Sequence, residues 1–227
     1  MKIRITSLLL AGLLAGSGIA QAGVVIGGTR VIYDGSKKES SIGIENPDAS
    51  PYLIQSWVEN EAGKSDKGSF VITPPLFRLD GKQKNTLRVI QAASPLAIDR
   101  ETLFWLNIKS ISASEEAVSE NTLQIAVNAR IKLIYRPAAL KGITPDEASK
   151  QLKWTQQGQN LTVNNPTPFY INFNAISVGG QPVENATYVA PRSSASFALP
   201  KASRGNQVEW KVISDYGAIS PPHQASL

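Results

Sequence analysis

Between residues 122 and 137 the chain alternates. Leu123, Ile125, Val127 and Ala129 are interleaved with Gln124, Ala126, Asn128 and Arg130. That period of two predicts a strand carrying its large apolar residues on one face. The alternation then breaks, because Ile131, Leu133 and Ile134 enclose Lys132 in an apolar run. Pro137, which has no amide hydrogen for a ladder, predicts the end of the strand. Two readings fit the apolar row from pattern alone. It packs into the core of its own domain, or it is offered to a partner.

The same period recurs in short runs along the chain. In the first half, residues 38–44, 70–73, 76–79, 86–92 and 103–111 read as strands, with aromatic and apolar residues also at 52–59. Asp34-Gly35 and Asp80-Gly81 mark turns, and Glu61-Ala62-Gly63 marks a hairpin tip. About seven closely spaced strands with turn chemistry between them predict an antiparallel sandwich. Residues 137–145 read as a linker, followed by a helical turn over 145–152 that starts at Pro145, Asp146 and Glu147. The second half is again strand-like at 161–164, 169–173, 188–189, 195–199 and 208–214, with a hairpin at Gly179-Gly180. The expectation is an all-β protein of two unlike sandwiches.

The first 22 residues have a different pattern. Lys2 and Arg4 precede an apolar stretch over 5–19, and Ala20-Gln21-Ala22 has the form of a cleavage site. This predicts a signal peptide over 1–22 and export of a chain starting at Gly23. No second apolar run is long enough to span a bilayer, so no membrane insertion is expected. About 205 residues remain, enough for two domains, placed at 23–141 and 142–227.

Composition then removes several kinds of chemistry. The chain has no cysteine, so disulfides cannot supply stability even in an oxidising compartment. Its formal charge of +5 falls to about +3 without Lys2 and Arg4, and no cluster of cations forms a nucleic-acid footprint. The single histidine, His223, reads as a solvated residue near the C-terminus. One imidazole and no thiol give no basis for a metal site or a nucleophilic triad. Gly23, Gly27 and Gly28 do not form a phosphate loop. No cofactor and no enzymatic activity are expected.

Five longer motifs occur in order: Thr29-Arg-Val-Ile-Tyr-Asp-Gly35, Asp99-Arg-Glu-Thr-Leu-Phe-Trp-Leu-Asn107, Arg130-Ile-Lys-Leu-Ile-Tyr-Arg-Pro137, Asn165-Pro-Thr-Pro-Phe-Tyr170 and Asp215-Tyr-Gly217. With these the chain resembles the periplasmic pilus chaperones of the chaperone–usher pathway, the PapD-like family, over nearly all of residues 23–227. The resemblance implies two immunoglobulin-like β-sandwich domains in a boomerang arrangement with an interdomain cleft. It implies a periplasmic protein that binds pilin subunits by donor-strand complementation and passes them to an outer-membrane usher. Leu123, Ile125 and Val127 would be the donor-strand hydrophobics. Arg30 and Lys132 would anchor the subunit's C-terminal carboxylate. Glu101, Arg136 and Asp215 would form a structural charge network between the domains. A self-capping homodimer is a further implied partner. Two features depart from the family pattern: Ser112-Ala113 stands where Pro-Pro is frequent, and the disulfide that several relatives carry in the second domain has no counterpart. The short loop over 112–121 resembles the subgroup that serves rod-shaped adhesive pili.

Two competing readings make different demands. A structural or adhesive protein would use the apolar strand to associate with itself. An exported enzyme or carbohydrate binder would need clustered acidic or aromatic residues, whereas Trp57, Trp105, Trp154 and Trp210 are scattered along the chain.

Overall fold

The computed structural model describes residues 23–113, 125–200 and 205–227. The described residues of the first half form nine strands: β1 (Val25–Ile26), β2 (Arg30–Asp34), β3 (Glu39–Glu45), β4 (Tyr52–Asn60), β5 (Phe70–Thr73), β6 (Leu76–Leu79), β7 (Lys84–Gln91), β8 (Thr102–Ser112) and β9 (Ala126–Arg136). They form one sheet in the order β1-β3-β7-β5 and a second in the order β2-β9-β8-β4-β6. Apolar residues at alternate positions meet between the sheets, as in Ile42 and Ile44 of β3, Leu87 and Val89 of β7, and Leu106 and Ile108 of β8.

After a 3-10 turn (Ala138–Leu140) comes helix α1 (Pro145–Ser149). Thr144 caps α1, accepting from the Glu147 amide while the Glu147 carboxylate accepts from the Thr144 amide. The second half contains β10 (Lys153–Gln157), β11 (Asn160–Asn165), β12 (Ile171–Val178), β13 (Gln181–Pro182), β14 (Tyr188–Val189), β15 (Ser193–Ala198), β16 (Gln207–Val212) and β17 (His223–Ser226). One sheet runs β10-β11-β15 and the other β13-β12-β16-β17, with β14 also on β12. Their shared core holds Trp154, Leu161, Phe173, Val208 and Trp210.

The broken alternation in β9 has a packing cause. Leu133 points into the first sandwich, whereas Ile134 packs with Leu103 against Tyr170 of the second. Consecutive apolar residues occur because both faces of β8 and β9 are covered here, one by each half of the molecule.

The sequence reading is corrected at three places. His223 is not a solvated tail: it opens β17, its ring lies 5.7 Å from Trp210, and its Nε2 is 2.7 Å from Asp146 Oδ1. Strands β10 and β17 fall where none was expected, because their polar sequences form strands only by pairing with β11 and β16. Trp154 and Trp210 are not scattered; their rings lie 5.2 Å apart in the second core.

Candidate functional site

Strand β2 runs parallel to β9, with Arg30 opposite Lys132. Two cations are therefore placed side by side, and Lys132 reaches Asn172 of the second sandwich. Both are half-buried. The Arg30 Nε is buried and has no hydrogen-bond partner among the described residues. Burial pulls the Arg30 guanidinium down from its ordinary range, and the charge of Asp215 opposes this. Burial, reinforced by Arg30, lowers Lys132 to about 8, and Glu61 pulls it back up. A cavity of about 450 Å³ opens beside Arg30, bordered by Val31, Lys37, Ser41, Lys141 and Tyr216.

The second half of the chain supplies the other wall. The Lys132 ammonium donates to Asn172 Oδ1 and sits 4.4 Å from the centre of the Tyr188 ring. Glu61, at the turn after β4, reaches across from the first sandwich. Its carboxylate accepts from the hydroxyls of Tyr170 and Tyr188, each at 3.1 Å, and its carbonyl accepts from Trp105 Nε1 at 3.2 Å. The sequence at 61–63 predicts only a hairpin tip. An exposed glutamate in a turn gives no local sign that the partners of its carboxylate are more than a hundred residues away.

Behind the cations lies a buried charge network. Arg136 Nε donates to Glu101 Oε1 at 2.6 Å, and its two terminal nitrogens donate to both oxygens of Asp215 at 2.7 and 2.8 Å. The second Glu101 oxygen accepts from the Tyr170 amide at 2.7 Å. Burial lifts the Glu101 carboxyl to about 7 against the opposing pull of Arg136. Burial works against the Arg136 charge too, but its carboxylate partners outweigh this and hold the guanidinium above its ordinary range. Each Glu101 oxygen accepts a hydrogen bond, the arrangement of an ionised carboxylate. Gly217, at a φ of +84°, closes the turn that presents Asp215, its amide donating to Ser214 at 3.0 Å. At the rim, Arg192 donates to Asp99 at 2.6 Å.

The apolar row lies on the same strand as Lys132. Ile125 is 65% exposed and Val127 57% exposed; neither is used by the core of its own domain. Leu123 and most of the loop over 112–121 lie outside the described residues. From Ala126 to Ile131, β9 pairs with β8 on one side, and among the described residues no strand pairs with its other side. From Lys132 onward that side is occupied by β2. An exposed apolar row therefore runs beside a free backbone edge up to a pair of cations.

The N-terminal domain family of PapD, a pili and flagellar-assembly chaperone, matches residues 23–141. The C-terminal domain family of the pili assembly chaperone PapD matches residues 147–224. The chain is 44% identical over 225 residues to the chaperone protein FimC of Escherichia coli strain K12, covering 96% of this chain and 92% of that one. It is 41% identical over 219 residues to the chaperone protein LpfB of Salmonella typhimurium, covering 95% and 93% respectively. Its fold superposes with a TM-score of 0.85, at 36% identity, on a chain from the complex of the Salmonella enterica SafA pilin with the SafB chaperone, covering 92% of this chain and 99% of that one. The E. coli chaperone DraB gives a TM-score of 0.81 at 39% identity, with 90% and 98% coverage.

Proposed function

The chain belongs to the PapD family of pilus-assembly chaperones, and from that premise we propose that it holds pilin subunits by lending them its β9 strand. The observation that carries this reading is the exposed row of Ile125 and Val127 beside the free edge of β9, which ends at Arg30 and Lys132. An unfinished sandwich exposes both an apolar groove and an unpaired strand edge. The β9 strand offers the complement of each: ladder hydrogen bonds from its backbone and apolar side chains from one face. Leu123 extends the row by two positions in sequence.

Arg30 and Lys132 then receive the subunit's C-terminal carboxylate. Charge-assisted bonds of this kind contribute about 1.5–3 kcal/mol each. The anchor also sets direction. A chain whose carboxyl end stops at Lys132 must run along Ala126–Ile131 in the same sense as β9, so the added strand is parallel. It sets register as well, since a slip of one residue would turn the wrong face to the groove. Glu101, Arg136 and Asp215 serve as a structural brace between the two sandwiches.

In this reading no covalent bond is made or broken. Residues 1–22 direct export to the periplasm, and the domains span 23–141 and 142–227. The loaded chaperone delivers its subunit to an outer-membrane usher. Two free copies can cap each other through the same apolar row in a homodimer. The superposition on the SafA–SafB complex supports the pilin as partner. The direct test is co-purification of a pilin with wild-type, Lys132→Ala and Ile125→Asp proteins. Loss of the pilin from both variants is expected; retention of wild-type affinity in both overturns the proposal.

A further inference from the structure

Glu61 belongs neither to the apolar row nor to the cation pair, yet it contacts the elements that surround Lys132. It lies at an exposed turn in the first sandwich and makes its side-chain hydrogen bonds to the second. Its two donors come from different segments: Tyr170 just before β12, and Tyr188 in β14. Tyr188 also supplies the ring beneath the Lys132 ammonium, and β12 supplies Asn172, which accepts from it. One carboxylate thus ties together the two segments that cradle one ammonium group.

We propose that Glu61 is a positioning residue for Lys132, which fixes the ammonium in the cleft through Tyr188 and Tyr170 and contributes a negative charge to its surroundings. This rests on the carboxylate-anchor reading of Lys132 for its use, though not for its geometry. The charged groups around Lys132 make the electrostatic part specific. Arg30, across on β2, disfavours its proton; Glu61 is the anionic group that favours it. Arg130, two residues back on β9, is taken up by Glu59 at 3.0 Å and by the Trp105 ring. Asp215 acts on Arg30, and Arg136 is held by Glu101 and Asp215. Tyr170 and Tyr188 are both pushed up, chiefly by burial and then by Glu61, so they remain neutral donors at neutral pH.

Geometry also separates this role from that of a simple strut. A strut would be served by any acceptor that holds the tyrosine hydroxyls. Positioning a cation draws on the negative charge as well, because the ammonium is half-buried and so less screened than a fully exposed group. Glu61→Gln keeps the shape and one acceptor oxygen but removes the charge.

The test has two readouts on the full chain. The first is an NMR titration of the Lys132 side chain in wild type, Glu61→Gln and Glu61→Asp. In Glu61→Gln the midpoint is expected to move down from about 8 by about half a unit, with Glu61→Asp lying nearer to wild type. The second is affinity for a peptide with the sequence of a pilin C-terminal strand, with a free carboxylate or an amide end, between about pH 6 and pH 9. For the free carboxylate, Glu61→Gln is expected to lose about threefold more affinity than wild type as pH rises through this range. An unmoved Lys132 titration, or an affinity loss equal at every pH, overturns the proposal. If wild type does not distinguish carboxylate from amide, the anchor reading fails, and the NMR titration still decides the role of Glu61.

Discussion

Arg30 and Lys132 are register partners in the parallel pairing of β2 with β9, so two cations occupy one face of one sheet without a carboxylate between them. Like charges placed together on a sheet destabilise it, and their partial burial adds a desolvation cost. In the proposed reading the pair is kept for an anion from outside. Lys132→Met removes this repulsion but also the contacts of the ammonium with Asn172 and Tyr188, so the melting temperature is expected to change little, while pilin binding weakens by about 10- to 100-fold. Thermal unfolding and a pilin-binding titration on the same preparation check both halves.

The exposed apolar row predicts the same separation of folding from binding. Ile125 and Val127 contribute little to their own core. Replacing either by Asp should change stability by no more than about 0.5 kcal/mol. In a donated strand each would bury about 1.5–3 kcal/mol worth of apolar surface, and a charge in its place would have to be buried unpaired. Urea unfolding should be nearly unaltered, and no pilin complex should survive size-exclusion chromatography.

The Glu101–Arg136–Asp215 network should behave in the opposite way. Arg136→Ala leaves Glu101, 3% exposed, without its cation partner. The expected loss is about 3–5 kcal/mol, read from urea denaturation. Small-angle scattering should show a wider spread of angles between the two sandwiches, because Arg136 and Asp215 come from opposite sides of that junction.

His223 yields a prediction that a tail residue would not. Its ring packs on Trp210 and its Nε2 meets Asp146 at the start of α1. His223→Ala removes a part-buried hydrogen bond and a ring contact, and should destabilise the second sandwich by about 1–2 kcal/mol. Tryptophan fluorescence should report it through Trp210, while pilin affinity stays within about twofold of wild type.

Local pattern made much of the first sandwich legible. Strands β3, β5, β6, β7 and β8 lie within a residue or two of where alternation and turns put them; in β3, β5 and β7 the period of two survives because one face is buried. The pattern did not reveal β10 or β17, whose polar sequences are strands only by virtue of their neighbours. It registered Leu133-Ile134 as a break without giving the cause, since the surface that covers Ile134 is Tyr170, far along the chain. The candidate site was legible only through long motifs shared with a family. Nothing local to Arg30, Lys132, Glu101, Arg136 or Asp215 indicates that they share one junction. Glu61 has no such motif, and its contacts with both tyrosines depend on how the two sandwiches meet.

The place where β2 joins β9 has a geometric consequence of its own. The open side of β9 is a slot with a closed end: past Ile131, the next position along that side is taken by the first residue of β2. Whatever lies in the slot is gauged from that end, as a drawer is by its back wall. Segments of different length would differ only in how far they extend toward the open mouth, and their final residues would come to rest at the same point. In the proposed reading, one scaffold would receive many sequences without being rebuilt for each.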